Sequence, residues 1–377
     1  MARADGPSTV PGGQPGDLGA PGLHARSGQP SDDPAVLDLA ALEEQALGVL
    51  APAIADYYAG GAEAEITLGE ATEAWRSWRL RPRVLRAVPA VRLATSLLGS
   101  EVRTPVGIAP WAYQSLAHRD GERGSARGAA AAGALMTVST SASTPLADVA
   151  ATEPQSPKWF QLYRRHSPAH TDDLARRAGE VGYRALVLTV DLPVLGRRLR
   201  DVANRMALPT DLPPGNSPTD GSPAVSSPEW TFDDIGRFGE LSGLPVVVKG
   251  VLRADDAAQC VQAGAAAVWV STHGGRQADP VVSSAAALPE VADAVGDEVE
   301  VYADGGIRSG SDVLTALALG ATAVFVGRPA IWGLATGGSH GVSRVLTGLS
   351  AQLAHTMALC GLSDVRAVPR DTVTRAR

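Results

Sequence analysis

This chain contains little cysteine, and its two cysteines lie far apart. Cys260 and Cys360 are the only thiols in 377 residues, so neither a disulfide framework nor the close cysteine spacing of a metal site is available. We interpret both as buried, inert thiols, and we expect a reducing cytoplasmic location and no metal. Long apolar runs are missing too. No segment approaches the roughly 20 apolar residues of a membrane helix, so no membrane partner is expected.

An excess of positive charge is also absent. Lys and Arg number 33 against 40 Asp and Glu, a net charge of −7, which argues against a nucleic-acid-binding surface. With 45% hydrophobic and 19% charged residues, the chain has the composition of a globular protein. Its length suits one large α/β barrel or two ordinary domains.

The N-terminal segment lacks the material for a core. Residues 1–34 are rich in Gly, Pro and Ser without a continuous apolar run, which excludes a secretory signal and predicts a disordered tail. We expect a single domain over residues 35–377. It begins with a helical extension, predicted at 35–59 and 66–75.

Short apolar runs then alternate with helical stretches. The predicted strands are 106–109, 135–139, 158–162, 185–190, 245–249, 266–271, 298–303 and 323–326. Most of them are apolar throughout, as parallel strands buried on both faces are, and helical stretches such as 121–133, 171–181 and 255–263 separate them. Eight such repeats predict a (β/α)₈ TIM barrel. A doubly wound sheet is the alternative, but the regularity favours closure.

One interval interrupts this alternation after the fourth predicted strand. Six prolines, with Ser, Gly and Asp, fall between Pro209 and Pro228. A long irregular loop at that point is usually functional or disordered. We interpret residues 206–230 as a lid over the barrel mouth, with mobile surface decoration as the alternative.

The most informative stretch follows the sixth predicted strand. The run that ends at Ser271 is followed by His273, two glycines and Arg276. Strand ends are where such folds place their chemistry. A histidine can take a proton near neutral pH, an arginine can clamp a carboxylate, and the glycines let the backbone approach a ligand closely. The cluster predicts a catalytic site.

Two glycine–arginine turns end the last two predicted strands. They are Asp304-Gly305-Gly306-Ile307-Arg308 and Gly327-Arg328-Pro329. Barrels commonly hold a phosphate at this position, and the two turns together predict such a site. Lys249 ends the fifth strand and is expected to face an anion or an electron-rich ring. Asp191 ends the fourth and is expected to raise the pKa of His273 and fix its tautomer.

Several motifs together resemble the FMN-dependent 2-hydroxy acid oxidases and dehydrogenases, such as glycolate oxidase, lactate oxidase and mandelate dehydrogenase. The motifs are Asp56-Tyr57-Tyr58, Ala117-His118 with Gly121-Glu122, Phe160-Gln161-Leu162-Tyr163, Thr189-Val190-Asp191, Gly196-Arg197-Arg198, Val248-Lys249-Gly250, His273-Gly274-Gly275-Arg276-Gln277, Asp304-Gly305-Gly306 and Gly327-Arg328-Pro329. The resemblance runs from about Asp56 to Leu362 and implies oxidation of an L-2-hydroxy acid to the 2-oxo acid. The protein supplies orientation and charge, while the flavin is the electron sink.

The resemblance also implies roles for residues near the substrate. His273 is similar to the base that removes a proton from the substrate, and whether hydride transfer or a carbanion follows stays open. Arg276 and Arg198 match arginines that hold the substrate carboxylate, with Tyr57 assisting. Tyr163 matches a tyrosine near the substrate hydroxyl or carboxylate.

The resemblance makes Asp191 the catalytic partner of the histidine. Further roles concern the cofactor, FMN. Lys249 matches the residue beside flavin N1 and O2 that stabilises negative charge on the reduced ring. The other positions that align with flavin-ring, ribityl and phosphate contacts are Pro110, Trp111, Ala112, Ser139, Gln161, Thr189, Ser271, Asp304, Gly305, Gly306, Arg308, Gly327 and Arg328.

Some positions depart from the family pattern. Thr272 stands where asparagine is usual, and Ser141 stands where glycolate oxidases carry a tryptophan. Ser141 leaves room that a tryptophan would fill, while Trp111 and Tyr113 add bulk nearby. These changes put glycolate in doubt and make a larger, aromatic 2-hydroxy acid a reasonable hypothesis. Ala112 matches many oxidases, a hint that oxygen rather than another acceptor reoxidises the flavin. The alternatives are another FMN barrel, such as an isomerase or a nucleotide dehydrogenase, and a flavin-binding barrel that has lost turnover. Relatives are often tetramers, so the resemblance implies a homo-oligomer.

Overall fold

A closed ring of parallel strands forms the centre of the computed structural model, which describes residues 36–164, 167–217 and 230–376. In spatial order around the ring, the strands are β4 (Val106–Ile108), β5 (Met136–Ser139), β6 (Lys158–Leu162), β7 (Leu186–Thr189), β8 (Val246–Val251), β9 (Ala267–Val270), β10 (Glu300–Asp304) and β11 (Ala323–Val326). The predicted (β/α)₈ barrel is confirmed. The predicted strands agree with the observed ones to within about two residues, because apolar runs buried on both faces mark parallel strands clearly.

Helices surround the barrel. They are α1 (Leu39–Val49), α2 (Pro52–Ala59), α3 (Ile66–Arg76), α4 (Gly121–Ala132), α5 (Leu146–Ala151), α6 (Pro168–Glu180), α7 (Leu199–Ala203), α8 (Asp233–Ser242), α9 (Ala254–Gln262), α10 (Ser284–Val295), α11 (Gly310–Ala318) and α12 (Arg328–Leu359). The helix α12 is kinked where Gly337 and Gly338 leave helical geometry. None of the helices in the described ranges has the length and apolar character needed to cross a bilayer.

The N-terminal extension differs from the expectation. Residues 35–59 were expected to form one helix, but two form, because Leu50 is extended and Pro52 begins a new helix. Proline lacks the N–H that would continue the first helix and is well suited to the first turn of the second. The predicted tail at 1–34 and residues 218–229 of the predicted lid lie outside the described residues.

Two small antiparallel sheets were not predicted. Strand β1 (Trp78–Leu80) pairs with β12 (Val373–Arg375), and β2 (Thr95–Leu97) pairs with β3 (Ser100–Val102). Three-residue strands are too short for a periodic pattern to reveal. Leu97 and Val102 join the cluster that fills the barrel interior, so the β2–β3 hairpin packs against one end of that interior.

Aromatic rings fill the barrel interior. Four of these side chains are fully buried: Trp159, Trp269, Tyr302 and Phe325. The ring centroids of Trp269 and Phe325 lie 4.0 Å apart. Inward-pointing side chains of adjacent strands stack in layers in this fold. The packed layers leave the space for a ligand at the carboxyl ends of the strands.

Candidate active site

The carboxyl ends of the strands surround one cavity. Its lining residues are Tyr57, Ala109, Pro110, Trp111, Ala112, Ser139, Tyr163, Thr189, Arg198, Lys249, His273, Gly274, Arg276, Asp304, Gly305, Gly306, Ile307, Arg308, Phe325, Val326, Gly327, Arg328 and Pro329. Residues from every barrel strand or the loop after it converge here. Such convergence is how this fold assembles a site.

His273 is held by hydrogen bonds on both sides of its ring. Its Nδ1 lies 2.8 Å from Asp191 Oδ1, and its Nε2 lies 3.3 Å from the Tyr163 hydroxyl. Its backbone has a φ of +54°, which a non-glycine residue rarely adopts, and its N–H donates to Ser271 Oγ. With the Nδ1 proton directed at Asp191, the Nε2 lone pair is the basic one.

The protonation of His273 differs from the expectation. Asp191 was expected to raise the pKa of the imidazole, and its charge does act in that direction. Burial of the ring is the larger effect, however, and with the positive charges of Lys249 and Arg198 it lowers the pKa below its ordinary value. Burial also opposes ionisation of Asp191, but His273, the charge of Lys249 and a backbone hydrogen bond together outweigh it and lower the pKa of that carboxyl. Near neutral pH the pair is therefore a neutral base beside a carboxylate.

Lys249 is a buried cation with an acidic partner. Its Nζ donates to Ser271 Oγ at 2.8 Å and lies 3.2 Å from Asp304 Oδ2. Ser271 in turn donates to Asp304 Oδ1 at 2.7 Å. The three residues, from β8, β10 and the loop after β9, form a network in which the charges of lysine and carboxylate balance.

Arg276 and Arg328 are buried side by side. Arg276 Nη1 donates to the carbonyls of Tyr57 and Gly60, at 2.6 and 2.9 Å. Arg328 donates to the carbonyls of Tyr58, Gly274 and also Gly60. The backbone at the C-terminal end of α2 thus holds both guanidinium groups. The carbonyl of Gly60 accepts hydrogen bonds from both.

These arginines have no acidic partner close by. Within the described ranges, no Asp or Glu carboxylate lies within 4 Å of a guanidinium nitrogen of Arg276, Arg308 or Arg328, although other arginines form such pairs. Burial lowers the pKa of Arg276 to about 10, helped by the charge of Arg198. Burial, with Arg276 and Arg308 nearby, lowers the pKa of Arg328 well below its usual range. Buried charges that lack a partner favour an anionic ligand.

Arg198 is only loosely paired with an acidic residue. Its Nη1 is 3.8 Å from Asp201 Oδ2, a loose pairing, and its buried Nε has no hydrogen-bond partner within the described residues. Arg198 lines the same cavity as Arg276. The two guanidinium groups can therefore be directed at one small anion.

The glycine turns adopt backbone conformations that favour glycine. Gly305 and Gly306 have φ values of +88° and +80°, and a side chain on Gly306 would meet the Ala71 carbonyl at 2.2 Å. Gly327 immediately precedes α12, whose first residue is Arg328. A helix N-terminus with an arginine and a glycine turn beside it is suited to a phosphate.

The residues present fit FMN. Thr189 lines the cavity, and its Oγ1 is buried without a hydrogen-bond partner among the described residues. Gln161, which lies behind the lining, has a buried Nε2 that also lacks a partner among those residues. Buried polar atoms are rarely left unpaired unless a ligand or water completes them. Together with the unneutralised arginines at the glycine turns, these atoms suit a polar ring system with a phosphate tail.

The structure brings nearly all the predicted residues together. Asp191, Gln161 and Ser271 do not line the cavity. They bond the side chains of His273, Ser139 and Lys249, respectively, and so act from behind the lining. The predicted site residues did not include the lining residues Ala109, Phe325 and Val326, and they included Gly274, Ile307 and Pro329 only as parts of motifs. These residues flank the predicted ones along the chain, so the strand ends themselves were the available signal.

The chain is similar to known proteins along most of its length. The family described as FMN-dependent dehydrogenase matches residues 46–375. L-lactate oxidase of Nostoc sp. is 45% identical over 82% of this chain and 90% of its own length. Human 2-hydroxyacid oxidase 1 is 41% identical over 88% of this chain and 95% of its own. A crystal structure of mandelate oxidase superposes with a TM-score of 0.85 at 40% identity, covering 90% of this chain and 98% of that one.

Proposed function

Because this chain belongs to the family of FMN-dependent dehydrogenases, and its reaction is the FMN-dependent oxidation of a 2-hydroxy acid, we propose that its substrate is an L-2-hydroxy acid with a large, aromatic side chain. The observation that carries the proposal is the cavity that His273, Arg198 and Arg276 share. A general base and two cations beside one opening suit a substrate with a carboxylate next to the reacting carbon.

Substrate binding depends on the two arginines in this proposal. Among the described residues, Arg276 engages backbone carbonyls through Nη1 only, so Nε and Nη2 remain for a carboxylate. Arg198 binds the other carboxylate oxygen, and the Tyr57 hydroxyl assists. Holding the carboxylate at two points fixes the α-carbon, which removes most of the orientational freedom of the reactants.

Proton transfer depends on His273. Its Nε2 takes a proton from the substrate, the hydroxyl proton or the α-proton, and Asp191 stabilises the imidazolium that forms. The lowered pKa of His273 keeps the ring neutral, and therefore competent, near neutral pH. Tyr163 lies 3.3 Å from Nε2, where its hydroxyl can contact the substrate oxygen during the transfer.

FMN, when bound, supplies the acceptor for the two electrons that the substrate loses. The proposed contacts to it are Lys249 beside the ring, Thr189, Ser139 and Gln161 at polar ring and ribityl atoms, and Arg308, Arg328 and the glycine turns at the phosphate. The remaining proposed cofactor contacts are Pro110, Trp111, Ala112, Ser271, Asp304, Gly305, Gly306 and Gly327. Asp304 holds the ammonium group of Lys249, 3.2 Å away, where the ring is expected.

The size of the substrate side chain is proposed from Ser141 and its surroundings. A hydroxymethyl group at Ser141 leaves more room than an indole does, and the rings of Tyr57 and Tyr113 lie nearby, 6.3 Å apart. Aromatic walls favour an aromatic guest. We further propose that oxygen is the electron acceptor, that residues 35–377 form one domain with residues 206–230 as a lid, and that the protein is a cytoplasmic homo-oligomer.

An anaerobic titration tests the proposal. Purified protein saturated with FMN is mixed with L-lactate, glycolate, (S)-mandelate and (R)-mandelate, and loss of flavin absorbance is followed by stopped-flow spectroscopy. We expect bleaching by (S)-mandelate at a higher rate per unit concentration than by glycolate, and little by the (R) enantiomer. A preference for glycolate would overturn the proposal on size. A protein that binds FMN but is bleached by none of the four would overturn the proposed substrate class.

A further inference from the structure

Trp111 has an unusual position in the cavity, because it contacts both buried arginines. Its ring centroid lies 5.4 Å from the guanidinium carbon of Arg276 and 5.7 Å from that of Arg328. The ring also packs 6.0 Å from Tyr58, and a side chain on Gly327 would meet it at 2.8 Å. A single aromatic ring therefore spans the position expected for the substrate carboxylate and the turn expected for the phosphate.

The two arginines repel each other and need stabilising contacts. Both donate to the Gly60 carbonyl, and each is more than nine-tenths buried. A carboxylate placed between them would remove the repulsion, but it would also neutralise the positive charge and compete with anionic ligands. An indole face attracts a cation through its quadrupole and carries no net charge. It stabilises the arginines and leaves their charge available.

We infer that Trp111 is a positioning residue that couples the two anion-binding ends of the cavity, holding Arg276 for a carboxylate and Arg328 for the cofactor phosphate. The inference rests on the proposed function, since it takes both anions from there. Its consequence is that one substitution, at a residue that contacts neither anion through a hydrogen-bonding group, weakens the binding of both.

A matched control exists elsewhere in the chain. Trp78 on β1 lies 5.3 Å from the guanidinium carbon of Arg375 on the paired strand β12, so it makes the same kind of cation–π contact. Trp78 is absent from the cavity lining. Replacing it removes a tryptophan and a cation–π contact without touching either proposed anion site.

The experiment compares Trp111→Leu, Trp111→Phe and Trp78→Leu with the unaltered protein. The affinity for FMN is measured by quenching of FMN fluorescence. The affinity for a carboxylate is measured by titrating the FMN-saturated protein with pyruvate and with benzoylformate, followed by flavin absorbance. We expect Trp111→Leu to weaken FMN and carboxylate binding by about 3- to 30-fold each. Trp111→Phe should have a smaller effect on both, and Trp78→Leu should leave both within twofold.

Double variants distinguish coupling from general damage. If the ring acts through the arginines, adding Trp111→Leu to Arg276→Lys weakens carboxylate binding by less than the product of the two single effects, and adding it to Arg328→Lys does the same for FMN. Independent, multiplicative losses would overturn the inference. So would Trp111→Leu changing only one of the two affinities, or neither. Failure of the unaltered protein to bind FMN or either carboxylate would instead overturn the proposed function.

Discussion

The interior of the barrel buries mainly aromatic rings, whereas its mouth buries charged side chains. In the interior, Trp159, Trp269 and Phe325 pack ring against ring, and the one phenol among them, Tyr302, donates to Glu300 at 2.6 Å. At the mouth, Arg276 and Arg328 are also buried, but among the described residues their partners are carbonyls and rings alone. The interior is built for burial of apolar area, whereas the mouth keeps charge that only a ligand can balance.

The mouth itself contains two kinds of buried cation. Lys249 lies 3.2 Å from Asp304 and contributes a local dipole, while Arg276 and Arg328 have no such partner among the described residues. A neutralised cation can adjust the charge on a neighbouring ring without binding a free anion. An unneutralised one attracts the anion itself. Position along the chain does not distinguish these roles, since Lys249 lies two residues before the end of β8 and Arg328 two residues after the end of β11.

The largest effect is expected from the base. His273→Gln should lower kcat by about 10²–10⁴, because loss of a general base costs that much, while glutamine can still donate to Asp191. The measurement is the anaerobic rate of flavin reduction by the best substrate. The variant should bind FMN with nearly unchanged affinity and unfold at a similar urea concentration. A variant that reduces its flavin within tenfold of the normal rate would falsify the role of His273.

A substitution in the barrel interior should lower stability and leave the reaction rate nearly unchanged. Trp159→Ala removes a fully buried ring that packs 5.2 Å from Tyr302 and 5.7 Å from Phe325, and it should lower the free energy of unfolding by about 3–5 kcal/mol. Urea unfolding measures this change. The rate of flavin reduction per folded molecule should stay within a few-fold, because Trp159 does not line the cavity. A large loss of rate with little loss of stability would contradict the division between interior and mouth.

The sequence predicted the interior and the strand ends well, for a physical reason. Parallel strands buried on both faces need continuous apolar runs, and their carboxyl ends meet at one place, so His273, Arg276 and Lys249 could be grouped before any coordinates. The single helix predicted at 35–59 was wrong because Leu50 is extended and Pro52, which lacks an N–H, begins a separate helix. Three-residue strands carry no detectable period.

Other features of the site had no signal in the sequence. The carbonyls of Tyr57, Tyr58 and Gly60 hold the arginines, and a backbone group is the same in every residue type. The predicted effect of Asp191 on the His273 pKa has the right direction, but the net shift is downward, because the depth of burial, which outweighs Asp191, depends on the whole assembled mouth. The bridging position of Trp111 likewise depends on chain segments far apart in sequence.

The carboxylate clamp should give the next largest effect. Arg276→Lys replaces a planar fork with a single point charge and should raise the KM for the substrate by about 10- to 150-fold, with a smaller change in kcat. Steady-state kinetics measure both. Arg237→Lys is the control, since Arg237 pairs with Asp172 on the outer helices at 2.6 Å and does not line the cavity. Equal KM values for the two variants would show that Arg276 does not bind the substrate carboxylate.

The pH dependence should give a more modest effect. Since burial lowers the pKa of His273 below its ordinary value of 6.5, kcat/KM should fall with decreasing pH only below 6.5. In the window between the folded pKa and 6.5 the unfolded chain binds more protons, so the free energy of unfolding also falls as pH decreases there. Asp191→Asn removes a charge that raises this pKa, so it should move the kinetic inflection further down. An inflection above 6.5, or an upward move in the variant, would be inconsistent with burial as the dominant cause.

The smallest effect is expected from breaking a surface ion pair, although its two charged atoms are closer together than those of the His273–Asp191 pair at the mouth. Arg83 Nη2 lies 2.6 Å from Asp371 Oδ2, against 2.8 Å for His273 and Asp191, but both side chains are about half exposed. Water and salt screen the pair, so Arg83→Ala should change the free energy of unfolding by no more than about 1 kcal/mol and leave KM unchanged. Urea unfolding at low and at high salt measures it, and any loss should shrink as salt is added. A loss above about 2 kcal/mol that survives high salt would mean that separation rather than burial decides what a charge pair contributes in this protein, and the contrast between mouth and surface would then fail.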